Sequence, residues 1–447
     1  MKNSPNDRNS SCRVRPGAVL LALMATVIVT SIASGQANYK VLHNFTGGTD
    51  GNEYMGVINA GNWFSSGLVL DPKGVLYGTT AAGGAYGFGV AFALKQGDSG
   101  AWTETVLYNF TGGEDGAYPF AGLILDGAGN LYGTTSGGGA GSCTNGYTDG
   151  CGVVFELTAS ADSTWSESVL YRFTGGADGA QPEARLTWDA AGDLYGTTEA
   201  GGLYATEACP GTGFSYYFDN GCGVAFELTP SSDGSWSESV LHRFTGGPDG
   251  GPEIGPLTID SAGNLYGSAQ RGKNVQGLIF KLAPSQTGWK ESILFALDDV
   301  KSGADAFSLT GLVFDQAGNL YGTTFWGPSD GGGGVVFKLS PSPLGTWRWS
   351  TLHSFGSFDP SAHPVGGVVL DSAGNVYGTD VSGGPGSAGE VFEVTPASSG
   401  WAFKGLHAFQ NQPASGPFSL ILDTAGNLYG TTCCSSNSAG VVFEITR

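Results

Sequence analysis

Short stretches of aliphatic, β-branched and aromatic residues alternate with turns rich in Gly, Asn and Asp along most of the chain. Four such stretches lie in residues 122–173, namely Gly122–Asp126, Asn130–Thr135, Val153–Thr158 and Trp165–Phe173. Apolar stretches of this length, bounded by turn residues, predict β-strands. We name these predicted strands A, B, C and D in chain order.

The motif of predicted strand B, Gly-Asn-Leu-Tyr-Gly-Thr-Thr, recurs with variations about every 59 residues. Such a period is typical of units that bury their apolar faces only against their neighbours, and it exceeds the roughly 40–50 residues of common propeller blades. The tyrosines of the seven copies are Tyr77, Tyr132, Tyr195, Tyr266, Tyr321, Tyr377 and Tyr429. Six residues before each lies an aspartate: Asp71, Asp126, Asp189, Asp260, Asp315, Asp371 and Asp423. In an Asp-x-x-Gly-Asn hairpin the aspartate can bond the backbone two residues on, so these aspartates are predicted to be structural.

The two ends of the chain indicate how the repeats close. The seventh unit contains strands A, B and C but no strand D, whereas an additional strand D, Tyr39–Phe45, precedes the first unit. In a closed ring the N-terminal strand would complete the last blade and remove an exposed edge. We therefore predict an all-β seven-bladed β-propeller with four antiparallel strands per blade, formed as one domain by residues 38–447.

Residues 1–37 have the pattern of an export signal. Lys2, Arg8, Arg13 and Arg15 precede the uncharged apolar run Gly17–Ala33, and small residues follow it. This arrangement predicts a signal peptide that is cleaved, and hence a secreted or periplasmic protein. The alternative, an uncleaved membrane anchor, is disfavoured because the run is short for a bilayer span.

The charge of the chain excludes some partners. Without residues 1–37 the chain has 15 basic and 38 acidic residues, a net charge of −23. Such a field repels nucleic acid and anionic lipid. After signal cleavage we expect no association with either, and we expect a monomer.

The cysteines of the predicted domain fall into three local pairs. Cys143 with Cys151 and Cys209 with Cys222 are predicted to form disulfides, because an even cysteine number in an exported chain favours them. The adjacent Cys433 and Cys434 are compatible either with a vicinal disulfide or with thiols. Zinc is disfavoured because no histidine or paired CxxC accompanies the cysteines.

The repeat unit resembles that of a bacterial family. The segments GNLYGTT, GVVFELT and WSESVLYRFTGGADG resemble the GloVer tandem repeat of "choice-of-anchor" exported proteins, and the resemblance covers residues 39–447. It implies an exported repeat protein of propeller type without an assigned reaction.

Function is expected on one face of the ring, since the A–B turns are short and uniform whereas the B–C and D–A links are long and variable. The D–A links carry Phe-Thr-Gly-Gly-x-Asp-Gly in four copies, with Asp50, Asp115, Asp178 and Asp249. These aspartates could form a carboxylate ring that holds Ca²⁺, but they lack the alternating ligands of a calcium loop, so tight turns are the favoured interpretation. No cofactor and no metal ligand is therefore assigned.

Three charged residues are candidates for the mouth of the channel. Glu183 and Glu253 enter strand A in consecutive blades, and Arg185 follows Glu183 by two residues. They could bind a sugar or act as acid and base; the competing interpretation is solvated loop charge. His363 is the one histidine outside the repeat pattern of strand D.

Aromatic residues in the long links suggest a binding surface. Trp63, Tyr118 and Trp326 are predicted to supply contact area for a glycan or an extracellular protein, since aromatic side chains are frequent anchors of interfaces. The leading hypothesis is a non-enzymatic exported binding propeller. The alternative is an extracellular carbohydrate-active hydrolase, lyase or lactonase that uses channel carboxylates, with Ca²⁺ as its candidate ion.

Overall fold

A computed structural model describes residues 37–447 except 53–66, 140, 144–148, 163, 203–220, 252–253, 272–275, 298–310, 328–332, 356–361, 411–414 and 434–438. The described residues form a seven-bladed β-propeller of four-stranded antiparallel sheets, as predicted. Within this part of the chain, no helix is long and apolar enough to cross a bilayer.

The blades follow the chain, each in the order A, B, C, D from the channel outward. Blade 1 contains β2 (Val69–Leu70), β3 (Leu76–Thr80), β4 (Val90–Gln96) and β5 (Trp102–Asn109). Blade 2 contains β6 (Ile124–Leu125), β7 (Leu131–Thr135), β8 (Val153–Ala159) and β9 (Trp165–Arg172). Blade 3 contains β10 (Thr187–Trp188), β11 (Leu194–Thr197), β12 (Val224–Pro230) and β13 (Trp236–Arg243). Blade 4 contains β14 (Thr258–Ile259), β15 (Leu265–Arg271), β16 (Gln276–Ser285) and β17 (Gly288–Ala296).

The last three blades keep the same order. Blade 5 contains β18 (Val313–Phe314), β19 (Leu320–Trp326), β20 (Gly333–Pro341) and β21 (Trp347–Ser354). Blade 6 contains β22 (Pro364–Leu370), β23 (Val376–Asp380), β24 (Glu390–Ala397) and β25 (Gly400–Ala408). Blade 7 contains β26 (Ser415–Leu422), β27 (Leu428–Cys433), β28 (Val441–Thr446) and, as its outer strand, β1 (Asn38–Asn44).

The N-terminal strand therefore closes the ring. β1 pairs antiparallel with β28 in a register that runs from Asn38 opposite Thr446 to Asn44 opposite Val441. This pairing covers the outer edge of β28, which would otherwise present unpaired backbone groups to solvent. The predicted closure of the last blade is confirmed.

Strand A is shorter than predicted in the first five blades. In blade 2 only Ile124 and Leu125 pair with strand B, opposite Tyr132 and Leu131. The preceding residues run along the channel outside the ladder. In blades 6 and 7 the innermost strand is longer and contains register shifts.

A glycine and a phenylalanine explain why the motif of strand B recurs. Gly133 lies opposite Phe155 of strand C, and a Cβ added at Gly133 would lie 2.6 Å from Cζ of that ring. The same cross-strand pair occurs in every blade, and each of these rings is fully buried. Glycine is thus required because the phenylalanine ring occupies the space above the strand.

Aromatic contacts join neighbouring blades. Trp165, at the start of strand D in blade 2, packs edge-on against Tyr77 of blade 1, with ring centroids 6.1 Å apart. Phe110, which follows strand D of blade 1, packs edge-on against Phe155 of blade 2, at 5.0 Å. The Trp–Tyr contact recurs around the ring, and so does the Phe–Phe contact, so both join neighbouring blades. Such T-shaped pairs add stability beyond the apolar area that they bury.

Candidate functional site

The face that carries the A–B turns is built from one repeated hairpin. Oδ1 of Asp126 accepts hydrogen bonds from the backbone amides of Ala128 and Asn130, each at 2.8 Å. Its Oδ2 accepts a hydrogen bond from the Tyr132 hydroxyl at 3.3 Å. The same Tyr-to-Asp bond occurs in all seven blades. These aspartates are structural, as predicted, and the A–B face is correspondingly uniform.

The aspartates of the D–A links also bond their own turn. Asp115 accepts hydrogen bonds from the backbone amide of Thr111 at 2.9 Å and from the Tyr108 hydroxyl at 3.0 Å, and the Thr111 hydroxyl donates to its other oxygen. Asp50, Asp178 and Asp249 bond the equivalent threonines. The turn interpretation is confirmed for these four aspartates. Among the described residues, no group of three or more His, Cys, Asp or Glu side chains has the arrangement of a metal site.

The innermost strands surround a central cavity of about 530 Å³. All seven blades contribute to its lining, so strand A of each blade, with the residues just before it, lines the channel. Four residues before the repeat aspartate, six blades carry a residue without a long side chain: Gly67, Gly122, Pro256, Gly311, Gly367 and Ser419. Blade 3 carries Arg185 at this position.

Arg185 is solvent-exposed within the cavity. None of the ion pairs or hydrogen bonds among the described residues involves it. Water reaches the side chain through the channel, but protein surrounds it, and this desolvation lowers its pKa. The cavity therefore contains a cation that no described carboxylate neutralises.

Glu183 lies at the start of the same segment and also lines the cavity, but its side chain is only 7% exposed. Burial raises the pKa of its carboxyl group to about 7, while interactions with Glu199 and Ser136 lower it. Glu183 is therefore not a solvated loop charge. Its carboxyl group is directed at blade 2 and strand B of blade 3 rather than presented freely to a ligand.

Glu199 is a site residue that our sequence reasoning missed. It is buried and follows Thr197-Thr198 of strand B, at the position occupied by Ser136 in blade 2 and Phe325 in blade 5. Its backbone amide donates to the carbonyl of Gln181 at 3.1 Å, which fixes strand B beside the D–A link. The sequence does distinguish Glu199 by its charge, because the residues at this repeat position in the other six copies are uncharged.

In blades 5 to 7, buried apolar side chains of strands A and B lie beside the exposed ring of Trp326. Phe325 packs with Val365 and Phe418 in a small cluster. The ring of Trp326 lies edge-on to His363, with centroids 4.4 Å apart, and Nδ1 of His363 lies 3.0 Å from the Ser382 hydroxyl oxygen. The structure thus brings together two of the predicted site residues, Trp326 and His363.

Tyr118 occupies a D–A link and is half-buried between Phe88 and Phe120, with ring centroids 5.9 and 6.2 Å away. Its φ is 58°, a left-handed conformation that is uncommon for a non-glycine residue. Two further predicted site residues, Trp63 of the aromatic surface and Glu253 of the channel mouth, lie outside the described residues.

The first predicted disulfide is confirmed, since Cys143 and Cys151 are bonded with their Cα atoms 5.0 Å apart. Cys222 is also disulfide-bonded, and its predicted partner Cys209 lies outside the described residues. Cys433 is half-buried against the Phe325 cluster, while Cys434 lies outside the described residues. A disulfide of this kind is typical of proteins that function outside the cytoplasm.

The chain belongs to the family of the Gloeobacter/Verrucomicrobia repeat, whose model matches residues 26–208, 141–290 and 212–443. The resemblance drawn from the repeat motif is thereby confirmed. None of the curated proteins matches the chain.

Two solved structures are similar to the chain at low identity. One is PorZ, described as an essential bacterial surface component of the type-IX secretion system of Porphyromonas gingivalis, with 12% identity and a TM-score of 0.49. The match covers 86% of this chain and 46% of PorZ, so the chain spans about half the length of that protein. The other is a gluconolactonase from Xanthomonas campestris, with 12% identity, a TM-score of 0.40 and coverage of 92% of this chain and 89% of that chain.

Proposed function

We propose that the protein is an exported, non-enzymatic propeller that binds a glycan or an extracellular protein on the face formed by the B–C and D–A links. It acts as a monomer in the periplasm or outside the cell. The Cys143–Cys151 disulfide and the signal-like residues 1–37 support export.

The observation that carries the proposal is the position of the exposed aromatic side chains. Among the described residues, the large aromatic side chains with the greatest exposure are Tyr86, at 60%, and Trp326, at 40%. Tyr86 lies in the B–C link of blade 1 and Trp326 ends strand B of blade 5, so both belong to the same face of the ring. Exposed aromatic residues on a rigid scaffold are typical of binding surfaces.

Trp326 is held in place before any ligand arrives. Its backbone pairs with Gly333 of strand C, and its ring contacts His363 and Phe325. Little side-chain freedom is therefore lost on binding, which favours affinity. A flat aromatic face beside the polar His363 and Ser382 suits the apolar face and hydroxyl groups of a sugar ring, so a glycan is the first ligand class to test.

Leu344 provides a matched control for Trp326. It is 90% exposed and lies in the C–D link of the same blade, on the opposite face of the ring. Labelled protein is applied to a glycan array as wild type, Trp326→Ala and Leu344→Ala. We expect the wild type and L344A to bind the same glycans and W326A to lose at least about tenfold in affinity, as for an aromatic hot spot.

The proposal would be overturned if W326A still bound the glycans and L344A did not. The site would then lie on the face of the A–B and C–D links. Absence of binding to every glycan would remove the glycan class and leave a protein as the proposed ligand. We do not propose the hydrolase, lyase or lactonase alternative, because Glu183 is buried against Glu199 and Ser136 instead of facing the channel freely.

A further inference from the structure

The central cavity has a chemistry different from that of the aromatic surface around Trp326. Its wall is formed by the innermost strands of all seven blades and is mostly apolar side chain and backbone. Glu183 and Arg185 are the charged residues among those that line it. The cavity volume of about 530 Å³ is within the usual range of small-molecule sites.

Six blades place Gly, Pro or Ser at the channel position where blade 3 places Arg185. Gly67 and Gly122 approach so closely that a Cβ added at Gly122 would lie 2.6 Å from the backbone of Gly67. Gly311 and Gly367 leave the wall similarly bare on the other side of the ring. The long side chain of Arg185 enters this otherwise open space from blade 3.

The charge of Arg185 is not compensated by the described protein. The carboxyl group nearest in sequence, that of Glu183, interacts with Glu199 and Ser136, and burial raises its pKa above the ordinary value. No carboxylate raises the pKa of Arg185, and desolvation lowers it. A charged side chain that lines a cavity and has no ionic partner is characteristic of functional sites.

We infer that the central cavity binds a small anionic group, a carboxylate or a sulfate, through the guanidinium of Arg185. The guanidinium presents N–H donors in a planar fork that matches two oxygens of either group. Thr187 and Thr258 also line the cavity, and each supplies a hydroxyl group for a further hydrogen bond to the anion. The inference rests on the proposed function in one respect: an acidic sugar, such as a uronate or a sulfated residue, would supply this group as part of a glycan.

The test uses sodium glucuronate, sodium sulfate and neutral glucose as probes, with binding to the full chain measured by isothermal titration calorimetry. The variants are Arg185→Gln, which removes the charge, and Arg185→Lys, which keeps it. The control is Arg172→Gln, which removes a cation on outer strand β9 that pairs with Glu114 at 3.1 Å. Folding of each variant is checked by its melting temperature.

We expect the wild type and R172Q to bind glucuronate or sulfate but not glucose at equal concentration. R185Q should lose at least about tenfold in affinity and R185K should recover part of it, because a charge-assisted hydrogen bond is worth about tenfold or more. Binding of glucuronate alone assigns the carboxylate source, and binding of sulfate alone assigns the sulfate source. Equal binding of the anion by the wild type and R185Q, or no binding of either anion by the wild type, would overturn the inference.

The two proposals fail separately. If R185Q abolishes anion binding while W326A leaves it unchanged, the cavity site stands whatever the glycan array shows. If R185Q binds anions as well as the wild type but W326A loses glycan binding, the inference fails and the proposed function stands.

Discussion

The ring of Tyr39 in the N-terminal strand stacks on His407 of blade 6, with centroids 3.9 Å apart and planes 4° from parallel. Tyr39 also packs edge-on against Phe409 at 5.6 Å. A residue near the start of the domain thus packs on a blade near its end. The closure of the ring rests on this contact as well as on the backbone pairing of β1 with β28.

Replacing Tyr39 with alanine tests the closure. We expect Y39A to lower the free energy of unfolding by about 2 kcal/mol, since it removes a partly buried aromatic side chain. Chemical denaturation with the exposed neighbour Lys40→Ala as control measures the effect, and K40A is expected to stay within about 0.5 kcal/mol. If Y39A and the wild type were equally stable, the contact of Tyr39 with blade 6 would not contribute to closure of the ring.

The glycine of the strand B motif gives a second prediction. In Gly133→Ala the added Cβ would meet the Phe155 ring at 2.6 Å and Leu123 at 2.9 Å, so we expect overpacking to cost about 1–3 kcal/mol. Gly127, in the A–B turn of the same blade, has open space around its Cβ position and provides the control. Urea unfolding should show a loss in G133A and little change in G127A; a reversed order would refute the explanation of the motif.

The glutamates of strand D give a pH dependence. Burial raises the pKa values of Glu104, Glu167 and Glu238 to about 7, and the D–A aspartate of the preceding blade adds to each shift, while Arg172 and Arg243 oppose it for the latter two. A raised carboxyl pKa means that the folded state holds the proton more tightly than the unfolded state. The associated stability is therefore fully present below about pH 4.5 and is lost as the pH rises through about 7.

We expect these sites to lower the melting temperature as the pH rises from 5 to 8. In the triple variant Glu104→Gln, Glu167→Gln, Glu238→Gln this decrease should be smaller, because the amide does not ionise. Calorimetric melting at each pH measures the difference, and Glu114→Gln, at a side chain that is 80% exposed, is the control. An unchanged pH profile in the triple variant would show that the strand D glutamates do not titrate in this range.

The architecture can be predicted from the sequence because the same repeat unit occurs seven times along the chain. The Tyr-to-Asp spacing, the Gly opposite a Phe and the additional N-terminal strand are each local or periodic, so they predict blades, register and closure. The two-residue ladder of β6 was not predictable in this way, since the preceding channel residues are as apolar as those of a paired strand.

The candidate site follows from the sequence only where a residue departs from the repeat. Trp326, Arg185 and His363 are identified by such departures. The burial of Glu183 was not predicted, because it depends on Ser136 of the neighbouring blade and on Glu199 of strand B. This contact between blades is not part of the repeat, so the spacing of residues along one unit does not indicate it.

Arg185 gives a prediction on stability that is independent of any ligand. If its charge is an uncompensated binding group, R185Q should melt at the same temperature as the wild type or higher, because residues kept for function commonly reduce stability. A structural arginine would behave in the opposite way. Differential scanning calorimetry of R185Q and R172Q distinguishes the two, and a large decrease in R185Q would assign Arg185 to the fold.

The central claim is that ligands bind on the face of the B–C and D–A links. Amide hydrogen exchange, with and without the glycan that binds best on the array, tests it most directly. We predict slower exchange in residues 325–327 and 380–389 and no change in the A–B turns, such as residues 126–130. Protection of the A–B turns with unchanged exchange in the B–C and D–A links would contradict the claim.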